Sequence, residues 1–278
     1  MKKVLVLCSE EKLALGSFRF IKQMAEHETI FVVGLFFTAN DVQPMVHISY
    51  MPHATAFSKM KEKEIQSVDN AKQLFSYECE AVGIRYKIHP YKSGWDIDLF
   101  VKESRFADVV IISEEFFCMD ESGFQPNFFM EQALRLSECP LVLVPESHRI
   151  VDRLTVAYDG SRESMFALKQ FLYLFPYYAE HPADFITVTD DESLPVPEVN
   201  LFREYTGAHF QSMYASSLRF DPAKYLSAWV ENRKDVFLIT GAYSRSARSI
   251  AFRQSFIKEM ITRHLCPIFI AHTGHTAP

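Results

Sequence analysis

The chain repeats itself. Asp-Val-Val-Ile-Ile-Ser at 108–113 returns as Asp-Val-Phe-Leu-Ile-Thr at 235–240, an offset of 127 residues. Cys-Pro-Leu-Val-Leu-Val at 139–144 returns as Cys-Pro-Ile-Phe-Ile-Ala at 266–271, at the same offset and without a gap. The front ends match at an offset of 150, where Lys3-Val4-Leu5-Val6-Leu7 pairs with Arg153-Leu154-Thr155-Val156-Ala157. The second copy is therefore shorter by 23 residues, 150 less 127, somewhere in its middle. Each copy has the size of one domain, and 278 residues is the length of two. The expected domains are 1–147 and 152–274, with the join between them.

Within the first copy, short apolar runs alternate with stretches of helical period. Strands are expected over 4–7, 29–37, 85–89, 109–113 and 141–145. Helices are expected over 12–26, 57–82, 96–106 and 127–136. The second copy repeats the order, with strands over 154–158, 184–189, 209–215, 236–240 and 268–272, and helices over 164–175, 223–233 and 255–264. Its second helix shrinks to 199–205, which is where the missing residues went. Apolar strands that alternate with helices mean a parallel sheet covered on both faces. The expected fold class is α/β: two tandem, doubly wound, five-stranded parallel sheets. The last strand of each copy, Leu-Val-Leu-Val and Ile-Phe-Ile-Ala, would be an exposed apolar edge if left alone. The copies are therefore expected to pack as a pseudo-dimer within one chain. Phe, at 25 residues, points to large filled cores.

Several function classes drop out. With 35 acidic against 29 basic residues the net charge is −6, so neither nucleic acid nor an anionic membrane is an expected partner. The apolar run 30–37 is far short of the ~18 residues of a membrane span. Met1-Lys2-Lys3 followed by an apolar run mimics an export signal, but Ser9-Glu10-Glu11-Lys12 ends the run at about half the ~7–15 residues required. A first strand of a cytoplasmic protein is the expectation. The five cysteines, odd in number and without a C-x-x-C, read as free thiols. No nucleophile elbow, Walker loop or zinc-protease motif occurs, so no enzymatic activity is expected.

Ligands of such sheets lie beyond the carboxyl ends of the strands, at the switch point between the first and fourth. There the second copy has Tyr158-Asp159-Gly160-Ser161, then Gly241-Ala242-Tyr243-Ser244 and, after Arg245, Arg248 and Arg253, Gln254-Ser255. This pattern resembles the universal stress protein family, whose domains carry an Asp after strand one, a G-x2-G-x9-G-[ST] loop after strand four and a final Cys-Pro strand. The resemblance covers the whole chain as a tandem pair, with the adenine-nucleotide-hydrolase-like fold of that family. It implies that ATP or ADP is the cofactor. Asp159 would then lie at the nucleoside, Val188 beside the base, and Gly241, Ser244, Gln254 and Ser255 around the phosphates. Amide groups and a helix N-terminus favour anions there. Ser244 and Gln254 stand where the family has glycine. Gln254 adds bulk where the backbone should approach phosphate, so binding is expected to be weak. The three arginines read equally well as phosphate contacts or as a solvated loop.

The first copy has lost the pattern. Ser9 replaces the Asp, and Glu114, Phe117, Asn127 and Phe128 replace Gly241, Ser244, Gln254 and Ser255. A carboxylate in a phosphate site repels the ligand. The acidic residues there read as solvated rather than as a metal site. The loop over 38–55 is either a lid or an interface. Two functions stay open: a non-enzymatic stress-response or signalling protein with at most one weak nucleotide site, in the second copy, or a scaffold without nucleotide that acts through protein partners or homo-oligomers. A nucleotide-dependent hydrolase on the same sheet lacks the motifs it would need.

Overall fold

The computed structural model describes residues 1–9, 14–38, 54–89, 96–113, 128–188, 198–218, 235–241, 263 and 266–273. The first half contains β1 (Lys2–Ser9), α1 (Leu15–His27), β2 (Ile30–Phe37), α2 (Ala54–Ala81), β3 (Arg85–Ile88), α3 (Ile97–Ser104), β4 (Val109–Ser113), α4 (Phe128–Leu136) and β5 (Leu141–Val144). The second contains β6 (Arg153–Ala157), α5 (Arg162–Leu174), a 3₁₀ turn (Pro176–Glu180), β7 (Ala183–Val188), α6 (Val199–His209), β8 (Met213–Leu218), β9 (Val236–Gly241) and β10 (Ile268–Ala271). The helices expected over 223–233 and 255–264 and most of the loop expected over 38–55 lie outside the described residues. Arg263, from the second of those helices, is helical.

The ten strands among the described residues form one sheet, in the order β3-β2-β1-β4-β5-β10-β9-β6-β7-β8. Within each half every pairing is parallel, as the continuous apolar strands require. The two five-stranded halves join where β10 runs antiparallel to β5. Val142 and Phe269 are equivalent residues at the 127 offset, and they face each other in this pairing. The pseudo-twofold axis therefore passes through that pair, and each apolar edge is covered by the other.

One apolar cluster runs unbroken across the axis on the face of α1, α2, α5 and α6. At its centre, Phe20 on α1 meets Phe175 and Phe237 of the second half edge-on, at ring distances of 5.9 and 5.6 Å. Phe269 meets Phe171 at 5.3 Å and Phe175 at 6.0 Å. The opposite face, under α3 and α4, holds a second core rich in Leu, Ile and Val.

Two expectations shift. The strand expected over 209–215 lies at Met213–Leu218, and α6 reaches His209 rather than residue 205. The cause is the helix's own apolar face: Phe202 and Thr206 are buried one turn apart, and the Phe210 amide donates to the Thr206 carbonyl to close it. With 28 residues in α2 against 11 in α6, the helix accounts for most of the missing stretch.

The segment between the halves packs tightly. Val151 and His148 are 2% and 3% exposed. The His148 ring sits against Phe20, with its Nε2 3.1 Å from Gln23 Oε1, and its Nδ1 is buried without a partner among the described residues. Burial, reinforced by the nearby charge of Arg19, pushes the imidazole down to about 4.

Two outcomes follow. Phe269→Ala empties the centre of the junction and should cost about 3–5 kcal/mol in chemical denaturation. His148 binds its proton near pH 4 when folded and near 6.5 when unfolded, so the unfolded chain holds the extra proton in between. Stability should therefore fall as pH drops from about 6.5 to about 4, by something on the order of 3 kcal/mol. His148→Gln should flatten that part of the urea-midpoint profile.

Candidate functional site

The carboxyl ends of β9, β6 and β7 lie side by side. Val156 pairs with Ile239, so two residues further on Gly241 is level with Tyr158. Ala157 pairs with Ile186, so Val188 is level with Asp159. Three of the six expected site residues, Asp159, Val188 and Gly241, are thus brought together at the switch point. Ser244, Gln254 and Ser255 lie outside the described residues.

After β6 the chain turns sharply into α5. Gly160 has φ +74°, a left-handed conformation that glycine adopts without steric cost. One carboxylate oxygen of Asp159 accepts the Ser161 amide at 3.0 Å. Ser161 is the N-cap of α5, and its Oγ accepts the Ser164 amide at 3.1 Å. The Ser164 hydroxyl in turn donates to the Ser161 carbonyl at 2.9 Å. Asp159 is therefore held by the same turn that starts the helix. The helix expected from residue 164 thus starts at Arg162, with Ser161 as its cap. The signal was there, as Ser-x-x-Ser directly after Asp-Gly.

Gly241 closes the other side. A Cβ on it would lie 2.6 Å from the Glu163 carbonyl and 2.9 Å from the Ser164 nitrogen. The end of β9 and the first turn of α5 touch backbone to backbone, which leaves room for glycine and nothing larger.

The floor between β6 and β7 is aromatic. Tyr158 stacks on Phe202 of α6 at 3.9 Å, and Phe185 of β7 meets Phe202 edge-on at 4.9 Å. Burial, with the carboxylates of Glu198 and Asp159 nearby, pushes the Tyr158 hydroxyl up and keeps it neutral. Phe185 and Phe202 are not among the residues expected at the site from the sequence.

The first copy is built differently at the same place. β1 ends in Ser9, and the N-cap of α1, Ala14, makes no side-chain cap. The segment after β5 takes over that role: Glu146 Oε2 accepts the Gly16 amide at 3.3 Å, and the Glu146 carbonyl accepts from Arg19. A Cβ on Gly16 would meet the Pro145 carbonyl at 2.0 Å. An internal carboxylate thus occupies the start of this helix. Glu114, Phe117 and Asn127 lie outside the described residues, and Phe128 opens α4.

Other chemistry is sparse among the described residues. Cys8, Cys79, Cys139 and Cys266 carry no disulfide. Burial pushes Cys79 and Cys139 up to about 12, so neither is ionised near neutrality. A cleft of about 830 Å³ opens elsewhere, between Ala107, Pro140, Phe166, Leu174 and His272, and Asp159, Val188 and Gly241 do not line it.

No protein-family model and no curated protein matches the sequence. Solved structures do. A universal stress protein from Archaeoglobus fulgidus DSM 4304 matches with TM-score 0.68 at 17% identity, over 98% of this chain and 97% of its own. A protein from Pseudomonas aeruginosa UCBPP-PA14, also described as a universal stress protein, gives 0.58 at 11% identity, over 98% and 93%. A functionally unknown protein from Pseudomonas aeruginosa PAO1 gives 0.57 at 10%, over 98% and 92%. The universal stress protein fold therefore extends over nearly the whole chain, and what is shared at these identities is the fold.

A glycine scan checks the geometry. Gly241→Ala should cost about 1–3 kcal/mol, because β9 and α5 must part to admit the methyl group. Gly207→Ala, in α6 with open space around it, should gain about 0.5–1 kcal/mol. Equal effects in chemical denaturation would contradict the close approach at Gly241.

Proposed function

We propose that this chain is a non-enzymatic stress-response protein of the cytoplasm that binds one ATP or ADP weakly, in its second half. The observation that carries the reading is the register that sets Asp159, Val188 and Gly241 on three adjacent strand ends beside the capped N-terminus of α5. In this reading Asp159 meets the nucleoside, Val188 the base, and Gly241, Ser244 and Ser255 the phosphates, with amide groups offsetting the anionic charge. Gln254 limits affinity. The internal carboxylate at α1 supports a single site, because it stands where an incoming anion would be repelled. Among the described residues no helix is long and apolar enough to cross a membrane.

A second reading, a scaffold without nucleotide, is favoured by the same Gln254 and Ser244. Calorimetry with millimolar ATP separates the two. Gln254→Gly should tighten binding, and Ser255→Ala should weaken it by roughly 0.5–1.5 kcal/mol through loss of one neutral hydrogen bond. Glu114→Gly should change nothing, since Ser9, Phe117 and Phe128 remain. No heat of binding from either the natural protein or Gln254→Gly leaves the scaffold reading in its place.

A further inference from the structure

The two ends of the sheet differ in kind. At one end β3 reads Arg85-Tyr86-Lys87-Ile88, two cations in four residues. Charge along an edge disfavours pairing with another strand, and least of all can such an edge pair with itself. At the other end β8 reads Met213-Tyr214-Ala215-Ser216-Ser217-Leu218, six residues with neither charge nor proline. Among the described residues its strand partner is β7. Met213 and Tyr214, at its start, are 37% and 55% exposed.

The direction of its backbone groups follows from the ladder. The Ser212 carbonyl accepts the Ala183 amide at 3.0 Å, and the β7–β8 pairing is parallel. Groups on a strand alternate sides. Ser212, Tyr214, Ser216 and Leu218 therefore turn toward β7, and Met213, Ala215 and Ser217 turn their N–H and C=O groups outward.

We propose that β8 is an interaction surface for a second copy of this chain, paired antiparallel with its own counterpart about a two-fold axis through Ala215. Antiparallel partners must both turn their groups toward each other, so an outward residue has to face an outward residue. The symmetric register meets that condition. Ala215 faces Ala215 of the second copy, Met213 faces Ser217, and Tyr214 faces Ser216. No like charges meet, and the residue on the axis is small. The chain already joins its own halves in this way, with the equivalent residues Val142 and Phe269 facing each other across an antiparallel pair of edges. The neutral edge suits a second copy: β3, paired likewise about Tyr86, would set Arg85 against Lys87 of the second copy, whereas β8 is compatible with itself.

Light scattering on the purified full chain tests this. At about 100 µM the mass should be twice the 32.1 kDa of one chain, falling on dilution. Ala215→Pro removes an outward amide and leaves the β7 ladder intact, since proline is tolerated where an edge N–H faces away from the sheet. It should weaken association at least tenfold, with an unchanged far-ultraviolet spectrum. In the natural protein, amide exchange at Met213, Ala215 and Ser217 should slow as concentration rises, while β3 amides stay as they are. This readout decides the matter even if Ala215→Pro does not fold. A monomer at about 100 µM, an undiminished dimer in Ala215→Pro, or exchange at those three amides independent of concentration would overturn the proposal. A monomer that captures an extended peptide from another protein would overturn it equally.

Discussion

β5 and β10 are four residues each, all apolar and all buried. Neither can end a sheet in water, because its edge would expose unpaired backbone groups beside bare side chains. Each supplies the other with an edge of matching character, and their antiparallel pairing sets the arrangement of the two halves. It makes two half-sheets into one, turns the strand order into a palindrome and places a pseudo-axis through Val142 and Phe269. It also brings α1 against the second half, so that Phe20 of one half completes a ring cluster belonging to the other. The halves share a core, and neither has a full one without its neighbour.

The pseudo-symmetry of the backbone does not extend to the chemistry at the strand ends. In the second half the helix after the first strand is capped by its own Ser161, and Asp159 is built into the same turn. In the first half Ala14 gives α1 no side-chain cap, and Glu146, from beyond the last strand, reaches back to accept the Gly16 amide. That detour fixes the joining segment against α1, where His148 and Val151 are then buried. The first half uses its helix start to hold the joining segment, and the second caps its own from within the same turn.

Much of the fold was legible because the repeat supplies each element twice. Two copies of an apolar strand at one offset leave little doubt about type, and the apolar character of the last strands requires a partner. The strand after α6 was misplaced by several residues because Phe210, Met213 and Tyr214 suit a strand as readily as a helix end, and the Thr206–Phe210 closure that decides between them is a backbone contact. The site was legible in part. Asp159 and Gly241 follow from motif position. The aromatic floor was not legible, because Tyr158 and Phe202 are 44 residues apart and meet only through the β6–β7 register and the tilt of α6.

Gly241 shows how a motif residue can have two causes. Its resemblance to a phosphate-loop glycine suggests a ligand, yet the Glu163 carbonyl would exclude any larger side chain with no ligand at all. A glycine demanded by packing says little about binding. The same holds for Gly160, whose positive φ is required by the turn into α5. Asp159 bears on the nucleotide reading more directly, because an asparagine or a serine could also accept the Ser161 amide without placing a charge beside Tyr158. A carboxylate next to a buried tyrosine, at the end of β6, carries a desolvation cost. A ligand that donates hydrogen bonds to it lowers that cost, and a ribose is such a ligand.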